Sequence, residues 1–268
     1  MTDMKKMLLL AAVLSAPALA LAGTTTVKGS DTMVILAQRW AEAWMKQQPT
    51  KKVQVTGGGS GTGIAALING TTDVADASRA MKDGEKAKVK AAGAEAVETI
   101  VARDGVAVYV NSANPIESLT VEQLRGIYLG DIRNWKEVGG KDAPIVLYSR
   151  ENSSGTYVFV KEHVLKNEDY AVEAQTLPGT AAVVNAVSKE KNGIGYGGGA
   201  YAKGVKELKI EGVAPTKEAV LAGKYPLSRP LFMYTRGAPK GEIKEFIDFC
   251  LSAAGQKIVS EVGYFPIR

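Results

Sequence analysis

The chain has 268 residues, a formal net charge of +5 and 46% apolar residues, an ordinary globular make-up long enough for one large domain or two medium ones. A single cysteine, Cys250, excludes an internal disulfide, and a single histidine, His163, excludes most zinc sites and every Ser–His or Cys–His pair not built on that residue. The positive charge is dispersed: stretches such as Lys82 to Lys90 mix lysine with Glu, Asp and Ala, as solvated helix faces do, and no nucleic acid is expected as a partner.

The first segment reads as an address. Lys5 and Lys6 precede an apolar stretch from Met7 to Leu14, and Ala20-Leu21-Ala22 forms a small-residue cleavage site, so residues 1–22 are expected to be a cleaved signal peptide. The apolar part, interrupted by Ser15 and Pro17, is short for roughly 30 Å of hydrocarbon. A periplasmic protein is expected, and Cys250, set in FIDFCLSAA, is expected to be buried from that oxidising space.

From there strands and helices alternate, the signature of an α/β protein. A strand at Thr25 to Lys28 precedes a helix at Thr32 to Gln47, whose Val34, Leu36, Ala37, Trp40 and Trp44 recur near helical spacing before Pro49. Strand Lys52 to Thr56, helix Gly63 to Asn69 and strand Asp73 to Ala77 follow. Then come strands at Glu98 to Val101 and Val106 to Asn111, a helix at Thr120 to Tyr128, a strand at Ile145 to Ser149 and a helix at Thr156 to Lys166. The remainder is a helix at Thr180 to Lys189, strands at Ile194 to Tyr196, Lys206 to Ile210 and Leu231 to Tyr234, and a helix at Lys240 to Ser252. No Pro/Ser-rich linker divides the chain. Two lobes are therefore expected to interleave, with crossings near Gly105 and Pro226/Pro230 and a ligand cleft between them.

Three loops repeat one design: a strand, then glycine with small hydroxyl residues, then a helix. They are Gly29-Ser30-Asp31-Thr32, Gly57 to Gly63 (GGGSGTG) and Asn152 to Thr156 (NSSGT). The first N–H groups of a helix have no partner within it and carry partial positive charge, and glycine lets a ligand approach them. Each loop is a candidate anion socket; simple helix capping is the alternative for any one of them. Arg150 beside the third loop and Arg79 after Ser78 add planar donor forks suited to oxyanions. A nucleotide loop is excluded because Ile64 and Ala65 occupy the Lys and Ser/Thr positions after Gly63. Gly193 to Gly198 fits a dinucleotide glycine pattern but follows a helix pattern instead of a strand. Ser60 has Thr62 where a hydrolase elbow needs glycine, and His163 falls inside an amphipathic helix pattern.

The segments GSDTM (29–33), GGGSGTG (57–63), DASRAM (76–81), ARDGVAVYVN (102–111), IYLGDIRNW (127–135) and SRENSSGT (149–156) together resemble the periplasmic phosphate-binding proteins of bacterial phosphate ABC transporters. The resemblance spans essentially the whole chain beyond residue 22. It implies the type II periplasmic-binding-protein fold, with lobe 1 formed by 23–105 and 229–268 and lobe 2 by 106–228. It also implies inorganic phosphate as ligand, a membrane permease as partner, a monomer, and neither cofactor nor metal nor catalysis. The ligand set it implies is Ser30, Asp31, Thr32, Ser60, Ser78, Arg79, Arg150, Ser154, Gly155 and Thr156. Some relatives carry, after the serine matching Ser78, an aspartate that accepts the proton of bound phosphate. Here that position is Arg79, and the role passes to Asp31, or to Glu151 or Asp76. Many relatives also have a second arginine where this chain has Tyr157. The alternatives are a receptor for sulfate, molybdate or tungstate, or a phosphate-ester enzyme using Ser60 or Ser154; one His, one Cys and no ligand-spaced carboxylate cluster argue against the enzyme.

Overall fold

The computed structural model describes residues 23–267, so the expected signal peptide lies outside the described residues. Strands β1 (Thr24–Gly29), β2 (Lys52–Thr56) and β3 (Val74–Ala77) alternate with helices α1 (Val34–Gln47) and α2 (Ser60–Ile68), and β1 pairs in parallel with both other strands. Helical crossovers of this kind are what parallel pairing requires. Helix α3 (Asp83–Ala91) leads into the long strand β4 (Ala96–Val110). Beyond it come β5 (Ser118–Leu119), α4 (Val121–Leu129), β6 (Val146–Arg150), α5 (Gly155–His163), β7 (Gln175–Leu177), α6 (Thr180–Lys189), β8 (Gly193–Gly198), β9 (Lys206–Glu207), β10 (Lys209–Ile210) and α7 (Lys217–Leu221). The chain returns through β11 (Ser228–Arg236) and ends in α8 (Gly241–Leu251) and α9 (Ala253–Val262).

The main sheet runs β2-β1-β3-β11-β4-β8-β6-β7, with β9 also on β4 and β10 paired separately with β5. The expected strands at 98–101 and 106–111 are one strand. Antiparallel pairing with β11 continues through Gly105, opposite Ser228, and from Val106 onward β4 pairs with β8. The core changes at the same place. Val27, Trp40, Val74, Ala102, Leu231 and Phe246 pack in one cluster, whereas Val106, Tyr128, Trp135, Ile194, Tyr225 and Leu227 pack in another. Both strands that pass between the two halves are thus hydrogen-bonded to each other where they cross.

Several elements differ from expectation for local reasons. Helix α5 stops at His163, and Lys166 and Asn167 follow with φ of 53° and 71°, the left-handed region that ends helices. The strand expected at 206–210 divides at Leu208, whose N–H donates to the Val108 carbonyl at 2.9 Å. Helix α9 begins on a fresh cap, the Ser252 hydroxyl accepting from Gly255 N–H at 3.2 Å. Trp40 reaches this corner, its Nε1–H donating to Gly255 O at 2.8 Å. Cys250 is fully buried there, as its apolar setting predicts. Among the described residues, no helix is long and apolar enough to cross a membrane.

Candidate functional site

The loops after β1, β2, β3 and β6 meet at the crossing between the halves. Gly59 N–H donates to Gly29 O at 2.9 Å, and Gly61 N–H reaches across to Ser153 O of the second half at 2.9 Å. This close approach explains the glycines: Gly59 has φ +94°, and a Cβ there would lie 2.6 Å from Ser153 O. Ser30 Oγ donates to Ser78 Oγ at 2.9 Å, Ser60 Oγ lies 3.3 Å from Ser78 Oγ, and Ser78 N–H donates to Ser60 Oγ at 3.0 Å. The first turn of α5 abuts these three serines, since a Cβ on Gly155 would stand 2.3 Å from Ser60 Oγ and 2.6 Å from Ser78 Oγ. Ser154 caps α5, accepting from Thr156 N–H at 3.2 Å and Tyr157 N–H at 3.3 Å. Thr156 Oγ1 lies 3.0 Å from Thr32 Oγ1 of the other half, and both threonines are buried.

Arg150, at the end of β6, is 1% exposed and is the one arginine of the expected set in this cluster. Its Nη2 donates to Asp31 Oδ2 at 2.9 Å and to Glu151 Oε1 at 3.0 Å, its Nε to Glu151 Oε2 at 3.1 Å, and its Nη1 to Thr180 Oγ1 at 2.9 Å. Four of the five guanidinium N–H groups are engaged, which leaves one on Nη1 and fixes its direction. Partial burial pushes the Glu151 carboxyl up, but the hydrogen bond and charge of Arg150 outweigh it and hold the group below its usual range. Asp31 is tied on both oxygens, Oδ1 accepting Gly58 N–H at 2.8 Å, and its carbonyl accepts the Tyr201 hydroxyl at 2.7 Å.

Nine of the ten expected residues are therefore brought together, and Arg79 is turned elsewhere. Its Nη1 and Nη2 donate to the two Glu85 oxygens at 2.8 and 2.7 Å, and Nη1 also reaches Ala80 O at 2.9 Å. Asp76, weighed for the phosphate proton, has Oδ1 buried without a hydrogen-bond partner among the described residues, and burial raises its carboxyl to about 8. His163 stacks on Phe159 with ring centroids 4.1 Å apart, and its Nδ1 lies 3.0 Å from Phe159 O.

Sequence reasoning missed Arg229 and Asp104, a buried pair whose Nε–Oδ2 and Nη2–Oδ2 separations are 3.0 and 2.8 Å. Arg229 also donates to Ser78 O and to Thr156 Oγ1, both at 3.0 Å. Burial raises the Asp104 carboxyl, opposed by the charge of Arg229. The signal was a charged residue inside each of two strands that otherwise read as buried. The whole arrangement is rich in donors: hydroxyls, helix-start N–H groups and the Arg150 and Arg229 guanidinium groups converge from both halves with little water access. Such a set can surround a small oxyanion and hold it by directed hydrogen bonds. Among the described residues no cluster of three or more His, Cys, Asp or Glu could hold a metal ion.

Residues 15–254 match the family described as the PBP superfamily domain. The chain is 34% identical to the phosphate-binding protein PstS of Pseudomonas aeruginosa over 269 residues, covering 91% of this chain and 83% of the relative. It is also similar, at 35% identity and a TM-score of 0.86, to a phosphate ABC transporter substrate-binding protein from Clostridium perfringens solved with bound phosphate, covering 92% of this chain and all of that one. An ABC-type phosphate transport receptor from Vibrio cholerae matches at 32% identity and a TM-score of 0.75, covering 90% and 99% of the two chains.

Proposed function

The chain belongs to the PstS family of phosphate-binding proteins within the PBP superfamily, and from that premise we propose that it captures one inorganic phosphate between its halves and passes it unaltered to the membrane permease of a phosphate ABC transporter. The fold is the type II periplasmic-binding-protein fold, two α/β lobes joined by crossing strands. The lobes we assign are 23–105 with 229–268, and 106–228. The observation that carries the function is Arg150: fully buried, oriented by Asp31, Glu151 and Thr180, and surrounded by hydroxyl and N–H donors from both lobes. Phosphate would be held by Ser30, Thr32, Ser60, Ser78, Arg150, Ser154, Gly155 and Thr156. Arg79 serves by bracing, through Glu85, the loop that follows Ser78.

Asp31 is the carboxylate that accepts the proton of phosphate in this reading. Near neutral pH phosphate keeps a proton and sulfate keeps none, so toward sulfate Asp31 presents one negative oxygen to another. Tungstate and sulfate are thereby disfavoured. The protein acts in the periplasm as a monomer, a placement supported by the leader-like Lys5/Lys6 start and the Ala20-Leu21-Ala22 site. It is a receptor, not an enzyme, a reading supported by relatives that are themselves named phosphate-binding and substrate-binding proteins.

Calorimetric titration of the purified protein with phosphate, sulfate and tungstate tests this. One phosphate per chain, bound well ahead of the other anions and recovered unchanged, is the expected result. A preference for sulfate or tungstate, or release of phosphate from a phosphomonoester abolished by Ser60→Ala or Ser154→Ala, would overturn it.

A further inference from the structure

Arg229 on β11 lies directly opposite Asp104 on β4, and the next pair along is Ser228 with Gly105, so the ion pair sits where both strands cross between the lobes. Its side chains are 2% and 1% exposed. With Nε and Nη2 on Asp104, the rest of the guanidinium is spread over both lobes. Nη1 donates to Ser78 O of lobe 1 at 3.0 Å, and Nη2 donates to Thr156 Oγ1 of lobe 2 at 3.0 Å and approaches Thr32 Oγ1 of lobe 1 at 3.5 Å. One face of the guanidinium covers the Phe159 ring of α5, 5.3 Å from its centroid.

The consequence lies in the hydroxyl protons. Thr32 and Thr156 hold two protons and four lone pairs between them, and their 3.0 Å contact uses one proton and one lone pair. If Thr32 donates to Thr156, the Thr156 oxygen already accepts from Arg229, both its lone pairs are filled, and its own proton must point outward. If Thr156 donates instead, the Thr32 oxygen accepts from Thr156 and faces Arg229, and the Thr32 proton is the one released. In either arrangement a single outward proton remains. A guanidinium has no acceptor and cannot deprotonate, so this bias does not reverse with pH.

We infer that Arg229, anchored by Asp104, is a positioning residue that occupies acceptor lone pairs of the Thr32–Thr156 pair and so turns its one spare proton toward an unprotonated oxygen of the bound anion. Because the two threonines come from different lobes, that donor is assembled only when the lobes meet. The inference rests on the phosphate-capture reading and adds a link between closure and ligand recognition.

The test is a double-mutant cycle read by phosphate titration of wild type, Arg229→Lys, Thr156→Val and the double variant. Lysine keeps a positive charge beside Asp104 but cannot also serve Thr156. Arg229→Lys and Thr156→Val should each weaken phosphate binding by about tenfold or more, and the double should lie within about threefold of the weaker single, because both remove the same donor. An Arg229→Lys affinity within about threefold of wild type, or losses that multiply in the double variant, would overturn the assignment. Should Arg229→Lys fail to fold, Asp104→Asn takes its place in the cycle, since it keeps Arg229 but loosens its anchor; multiplying losses there count equally against it. Wild-type protein that takes sulfate or tungstate but not phosphate overturns the phosphate reading alone, and the same cycle is then run with the anion that binds. Binding of none of the three overturns both.

Discussion

Asp76 offers a test of the electrostatics that does not depend on any ligand. Its carboxyl is 1% exposed, Oδ1 has no hydrogen-bond partner, and burial alone lifts it from 3.8 to about 8. At low pH both folded and unfolded chains carry the proton, and the group costs nothing through ionisation. As pH rises past 3.8 the unfolded chain releases its proton while the folded chain holds on until about 8, so the unfolded form is favoured progressively. Each pH unit in that window removes about 1.4 kcal/mol of stability, about 4 kcal/mol by pH 7 and about 5–6 kcal/mol above pH 8. Asp76→Asn keeps the size and removes the ionisation. Urea unfolding of both proteins across about pH 4.5 to 9 should show the variant gaining on wild type steadily and levelling off near pH 8. Taking the difference cancels every other titrating group the two share. A stability gap that stays constant across that range would refute the reasoning, because a constant offset is what a change in packing alone produces.

Arg150→Ala should weaken phosphate binding about ten- to a hundredfold, the worth of a charge-assisted hydrogen bond of about 1.5–3 kcal/mol; a calorimetric change under about threefold would remove the guanidinium from the site. Asp31→Asn should lower phosphate affinity and raise sulfate affinity, shrinking their ratio at least about tenfold, or about 1.4 kcal/mol, and an unchanged ratio in a folded variant would shift the proton acceptor to Glu151. Gly155→Ala should weaken phosphate binding by about tenfold or more and lower the melting temperature as well, since overpacking a buried site costs about 1–3 kcal/mol. Its new methyl falls on two buried serine hydroxyls; full affinity at wild-type stability would contradict the tight approach of α5 to Ser60 and Ser78.

What could be read from the residues was local. The helix at 180–189 and the strand at 52–56 have the expected bounds because their apolar spacing and flanking residues decide them. The hydroxyl–glycine loops were legible for the same reason: a cap, a glycine and a helix start are neighbours in sequence. The gap expected between the strands at 98–101 and 106–111 is closed by pairing with β11, whose Ser228 lies 123 residues beyond Gly105. Arg229 was hidden because its meaning lies in Asp104 and Thr156, neither nearby in the chain. Arg79 is the converse: next to a site serine it suggests a ligand contact, whereas in the structure its guanidinium is paired with Glu85 in the first turn of α3.

The place of β11 bears on how the molecule is made. The strand that leaves the ribosome last lies in the interior of the sheet, hydrogen-bonded on one side to β3 and on the other to β4. Until residues 228–236 emerge, β3 and that stretch of β4 are open edges, and the cover that α8 and α9 give Trp40 and Trp44 is missing as well. A nascent chain lacking its final 40 or so residues has no way to complete its first lobe, however long it waits. Late arrival of the central strand thus leaves the first lobe open at these two edges for as long as synthesis lasts.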